Sequence, residues 1–142
     1  MNGSRDRQWL LANLPHQGSM NLLAAVERWD ETTLHARADN HRSPSHALRR
    51  GALLPSTAGI EYGAQAAAAH GALSSQAPSG AGMIAAVRSV HLHVARLDDV
   101  EGDLQVLAEQ LGDAASGVLY RFEVSSDKRL LVDGRVMVAF RA

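Results

Sequence analysis

The stretch LLPSTAGIEYGAQAAAAHGAL, residues 53–73, constrains the fold more than any other part of the chain. Alanine's high helix propensity makes it helical. Pro55 suits a first helical turn, where a missing amide donor costs nothing. Gly59 and Gly63 stand four apart and Ala67 continues their row, so small residues form a smooth strip on one face. Each glycine costs roughly 1 kcal/mol relative to alanine in a helix interior. Close approach by surrounding strands is the compensation this pattern predicts. The helix, about residues 54–73, is therefore expected to be slim and wrapped by a curved sheet.

The rest of the chain supplies candidates for that sheet. A short helix is expected over Arg7 to Asn13, stopped by Pro15. MNLLAAVERW and TTLHARA follow, separated by an Asp30-Glu31 turn; in the second, Leu34, Ala36 and Ala38 alternate with polar residues. DNHRSPSHALRRG and SSQAPSGAG read as loops. VRSVHLHVAR, LQVLAEQL, GVLYRFEV and RVMVAF read as strands. Val90, Leu92 and Val94 are expected to share one face, as are Val118, Tyr120, Phe122 and Val124. A hairpin turn is expected at Ser125–Arg129; Asp133-Gly134 is a rival turn signal, read here as a bulge in a longer last strand. The order is α+β, with one long helix covering an antiparallel sheet. The 142 residues are expected to form a single domain.

Composition narrows the function. Net charge is −1 and aromatic residues make up 4% of the chain, which argues against a nucleic-acid surface. Cysteine is absent, which removes thiolate chemistry. The apolar patch Trp9 to Leu14 is too short for a signal core or membrane span, so a soluble cytoplasmic protein is expected. No G-x-S-x-G elbow or phosphate-loop lysine is present. His91 and His93 share a strand face without an alternating carboxylate, so an exposed polar face is expected there and no metal site.

Two features are left with chemistry in them. Glu61 and Gln65 share a helix face; either that face opens to water or Glu61 sits in a lined pocket with work to do. His41 and His46 lie in the preceding loop with Arg42, Arg49 and Arg50, as a solvated polar loop or as a general base near the helix start.

With LPHQGSM ahead of a strand, then HALRRGALLPSTAGIEYGAQ, the chain resembles the beta-hydroxyacyl-acyl-carrier-protein dehydratases of the hot-dog fold. It is most similar to their divergent branch in aryl-polyene pigment clusters. Leu14-Pro15-His16 matches that family's first element, and Pro55, Glu61 and Gln65 keep its helix spacing. The later strands through YRFEVSSDKRLLVDGRVMVAF extend the likeness over most of the chain. The strict GHFPxxPxxPG is absent. SHALRRGALLPS stands in its place, with His46 one residue farther from Pro55 and Ser56 replacing a glycine; His41 is the fallback histidine.

The resemblance implies a dehydratase of 3-hydroxyacyl thioesters carried on the phosphopantetheine arm of an acyl carrier protein, yielding a trans-2-enoyl thioester and water. It implies His46 as base, and Glu61, across a subunit interface, protonating or holding the departing hydroxyl. Burial in an acyl tunnel would raise the pKa of Glu61. Backbone amides around Ser56 would stabilise the thioester oxyanion, Gln65 would orient Glu61, and His16 would be structural. Arg42, Arg49 and Arg50 would attract the acidic carrier protein. No metal or organic cofactor is implied. The assembly would be a homodimer or a heteromer with another hot-dog subunit. The rivals are a non-catalytic or co-catalytic partner subunit and a hot-dog acyl thioesterase.

Overall fold

The computed structural model describes residues 3–16, 18–74, 82–114 and 117–140. The elements run α1 (Arg7–Asn13), β1 (Ala25–Trp29), β2 (Thr33–Ala38), α2 (Ala58–Leu73), β3 (Gly82–Leu92), β4 (Leu104–Ala114), β5 (Gly117–Ser126) and β6 (Arg129–Phe140), with a 3-10 turn at Gly18–Met20. The strands form one six-stranded sheet in the order β1-β2-β4-β5-β6-β3, every neighbouring pair antiparallel. The sheet wraps α2, which packs against β2, β3, β4, β5 and β6. This is the hot-dog arrangement. Most of the second loop read in the sequence, residues 75–81, lies outside the described residues.

The small-residue strip does what its spacing demands. A Cβ on Gly63 would lie 2.3 Å from the Phe122 ring, and one on Gly59 would lie 2.8 Å from Val132. Both glycines let a large side chain of the sheet rest against the helix backbone. Tyr62 and the run Ala64 to Gly71 are buried as well, so α2 has almost no solvent face. Facing it are Leu34, Ala36 and Ala38 of β2 and Val118, Tyr120, Phe122 and Val124 of β5, all buried on alternate positions.

Several boundaries differ from the sequence reading. The helix begins at Ala58 rather than near residue 54, because Pro55 bridges Arg96 and the Ser56 amide donates to Ala95 O at 3.1 Å. β1 begins at Ala25; the preceding Leu22 and Leu23 are core residues outside the strand. The hairpin turn expected within Ser125–Arg129 is there, at Asp127-Lys128, both left-handed with φ of 51° and 67°. β6 runs on through Asp133-Gly134 as the longer last strand expected; the irregularity at that level lies on the β3 side, where Ser89 and Val90 stand opposite Gly134, and a further register shift lies opposite Val124 and Ser125. Gly134 serves packing there: a Cβ would meet both Phe122 and Val90 at 3.0 Å. In β3 a register shift between Arg88 and His91, with Ser89 at φ 53°, breaks the expected alternation and leaves Leu92 46% exposed. Among the described residues no helix is long and apolar enough to cross a membrane.

Candidate active site

Glu61 lies in the first turn of α2, where the helix dipole favours a negative charge. It lines a cavity of about 270 Å³ together with Leu48, Arg50, Pro55, Thr57, Ala58 and Ile60. Its side chain is a quarter exposed, and its carboxylate meets the ring of His16, with Nε2 3.2 Å from Oε1. Gln65 Nε2 reaches the same oxygen at 3.5 Å. The hydrogen bond from His16 holds the Glu61 carboxyl below its ordinary value; burial opposes this, and Gln65 adds to the lowering. The expectation of a raised pKa is therefore reversed in this chain. Glu61 rests as a carboxylate.

Gln65 does more than orient Glu61. It is fully buried, accepts the Leu22 amide at 2.8 Å and donates to Met20 O at 2.7 Å. It ties the segment after α1 to the helix. Asn21, also fully buried, donates to Leu10 O and to His16 O at 3.1 and 3.2 Å. Arg7 donates to Asn21 O and Leu23 O at 2.6 and 2.7 Å. These bonds carry His16 to Glu61. The sequence reading treats His16 as structural; its pairing with Glu61 is hidden there because the two lie far apart along the chain. The available leads are the shared LPH element and the polar Asn21 inside an apolar run.

The loop histidines lie apart from Glu61. His46 is buried: its Nδ1 accepts the Leu48 amide at 3.0 Å, and its Nε2 donates to Tyr62 OH at 2.9 Å. Tyr62 OH in turn donates to Asn40 Oδ1 at 2.7 Å. Burial holds His46 below its ordinary pKa, with Arg49 and His41 adding to the effect. The neutral ring thus has both nitrogens engaged. His41 is also buried; its Nε2 donates to Val100 O at 2.9 Å, while Nδ1 is buried without a partner. Neither histidine bonds to Glu61 within the chain.

The remaining site residues divide. The Ser56 amide is engaged by Ala95 O, whereas the amide of Thr57, beside the cavity, has no partner among the described residues. The Arg49 guanidinium donates to the carbonyls of Ser43, Ala52 and Arg42, closing the loop on itself. Arg42 donates to Glu101 O. The side chain of Arg50 is exposed at the cavity and makes no hydrogen bond or ion pair among the described residues.

Elsewhere, Asp133 on β6 receives both His91 Nδ1 and His93 Nε2, at 3.0 and 2.7 Å. The carboxylate missing from their own strand comes from the next one. Among the described residues no group of three metal-ligating side chains could hold an ion. A larger cleft of about 740 Å³ between residues 93–102 and 126–131 carries charges of both signs and none of the residues around Glu61.

A family model for ApeP-like dehydratases matches residues 10–141. The chain belongs to the ApeP-like dehydratase family. Among solved structures it is similar to the ApeI:P dehydratase heterocomplex of Xenorhabdus doucetiae, at 23% identity and TM-score 0.77, covering 91% of this chain and 88% of that one. AziG of S. sahachiroi follows at 17% identity and TM-score 0.62, covering 87% and 94%. A mutant form of the thioesterase PA1618 from Pseudomonas aeruginosa matches at 16% identity and TM-score 0.59, covering 94% and 92%. No curated protein matches. These likenesses establish the fold, and the family model places the chain among hot-dog dehydratases.

Proposed function

We propose that this ApeP-like protein dehydrates 3-hydroxyacyl thioesters carried on an acyl carrier protein, in the cytoplasm, together with a second hot-dog subunit. The observation that carries this reading is Glu61, an ionised carboxylate at a cavity, with no loop histidine facing it in its own chain. The neighbouring subunit would bring a loop histidine to Glu61, and the loop histidines of this chain would face the neighbour's site in turn. The ApeI:P heterocomplex supports a partner of the same fold. Strand β3, at the sheet edge with Val87 and Leu92 exposed, offers backbone groups for such pairing.

The chemistry follows from charge states. A histidine takes the proton alpha to the thioester, and the freed pair forms the new double bond as the C–O bond breaks. The Thr57 amide, with the helix dipole, favours the thioester oxyanion. An ionised Glu61 accepts a hydrogen bond from the 3-hydroxyl but supplies no proton; the histidinium returns the proton it took, and water leaves. His46 performs this role only if its bond to Tyr62 opens. His41 performs it only if its Nδ1, buried and without a partner, is uncovered in the assembly. Arg50 is the remaining loop cation for steering an acidic carrier protein.

The engaged nitrogens of His46 also favour a second reading, in which this chain completes the site of a catalytic partner. Turnover of 3-hydroxyacyl-carrier substrates tests both. Wild type and the Glu61→Ala, His41→Ala and His46→Ala variants are assayed alone and with a hot-dog partner. Loss in Glu61→Ala and in His41→Ala or His46→Ala supports the first reading; activity unchanged in every variant removes it. Activity only with the partner, unaffected by the histidine changes, supports the second.

A further inference from the structure

Glu61 is not positioned by its own helix alone. The segment after α1 is bound from three sides: Arg7 holds the carbonyls of Asn21 and Leu23, Asn21 holds that of His16, and Gln65 grips Met20 and Leu22. Its outcome is a ring nitrogen of His16 on Glu61 Oε1 at 3.2 Å. Gln65 lands on the same oxygen. Glu61 Oε2 has no partner among the described residues and is not among the buried unpaired atoms, so it is open to a ligand.

We propose that His16 is a positioning residue of the Glu61 site, clamping one carboxylate oxygen so that the other is presented to the substrate hydroxyl. A second observation supports this. His16 Nδ1 is buried with no partner, which a purely structural histidine would be expected to satisfy. The ring keeps its contact with Glu61 although its other nitrogen is left unpaired. The titratable and charged groups facing Glu61 are His16 from the N-terminal segment and Arg50 across the cavity; Gln65, from its own helix, is neutral. The inference rests on the dehydratase reading of Glu61 and names the residue that aims it.

The test uses His16→Ala, His16→Met, which fills similar volume without a donor, and His16→Gln, which keeps an N–H donor. The carboxyl of Glu61 is titrated by carbon-13 NMR, with Glu61→Gln for assignment, and kcat and KM are followed against pH. In the Ala and Met variants the Glu61 midpoint and the acid limb of kcat should rise by roughly one pH unit. In these variants kcat should fall on the order of tenfold with KM little changed, and His16→Gln should recover most of both. A midpoint and kcat unchanged in folded His16→Met would overturn the proposal. Should no condition give dehydration, the dehydratase reading fails, and the titration still decides whether His16 clamps Glu61. If the Ala variant does not fold, the Met and Gln pair carries the comparison.

Discussion

Two of the histidine contacts along α2, at its two ends, are of opposite kinds. Near its end His70 is fully buried, with Nδ1 accepting Tyr120 OH at 2.8 Å and Nε2 donating to Asp30 O at 2.9 Å. Near its start His16 meets Glu61 in a half-open setting, beside a cavity, with its other nitrogen unpaired. A buried polar group whose bonds are all made rigidifies a core. A charged group with one atom free at a cavity is built to meet something else. The same fold thus separates an end of the helix with every polar bond made from an end with a carboxylate open to a cavity.

The largest expected effect lies at the Glu61 end. Glu61→Gln, which removes the charge that accepts the substrate hydroxyl, should lower dehydration on the order of 10²-fold while leaving the melting temperature near wild type, read by steady-state turnover and thermal unfolding. An equal loss of stability would erase the distinction between the two ends. Next comes the close-packed middle. Gly63→Ala places a Cβ 2.3 Å from the Phe122 ring, and overpacking of this kind costs about 1–3 kcal/mol, measured by denaturant unfolding.

At the His70 end, Tyr120→Phe removes the donor to His70 Nδ1 and leaves a buried acceptor unpaired. That should cost about 1–2 kcal/mol of stability with turnover unchanged. The smallest effect is a slope with pH. Burial lowers the pKa of His70 below its ordinary 6.5, so between that value and its folded pKa the unfolded chain binds the extra proton. The contribution is complete above about 6.5 and is lost as pH falls through that window. Glu61, also lowered, keeps its contribution down to about 4.5 and loses it below, as pH falls through its folded value. Unfolding free energies from pH 7.5 to 5 should fall with acidification, and less steeply in His70→Gln.

Much of the scaffold was legible because it rests on local spacing. Gly59, Gly63 and Ala67 announced a wrapped helix, and the Val118–Val124 alternation announced a strand face. Glu61 and Gln65 were readable as a pair because four residues is one helical turn. What spacing missed is what crosses the sheet or joins distant segments. Asp133 beneath His91 and His93, Tyr62 under His46, and Ala95 on the Ser56 amide are such cases.

By itself the sequence determined that a small-residue helix must be enclosed by strands, because periodicity and side-chain size are local quantities that one chain states outright. The family resemblance carried by LPH and by the Glu61–Gln65 spacing pointed to the dehydratase class before any coordinates. Only the tertiary structure decided which polar atoms remain unpaired. It engaged both nitrogens of His46, closed Arg49 on its own loop, and set His16 on Glu61. Protonation and reactivity depend on burial and on partners brought from distant positions, and those exist only once the chain has folded.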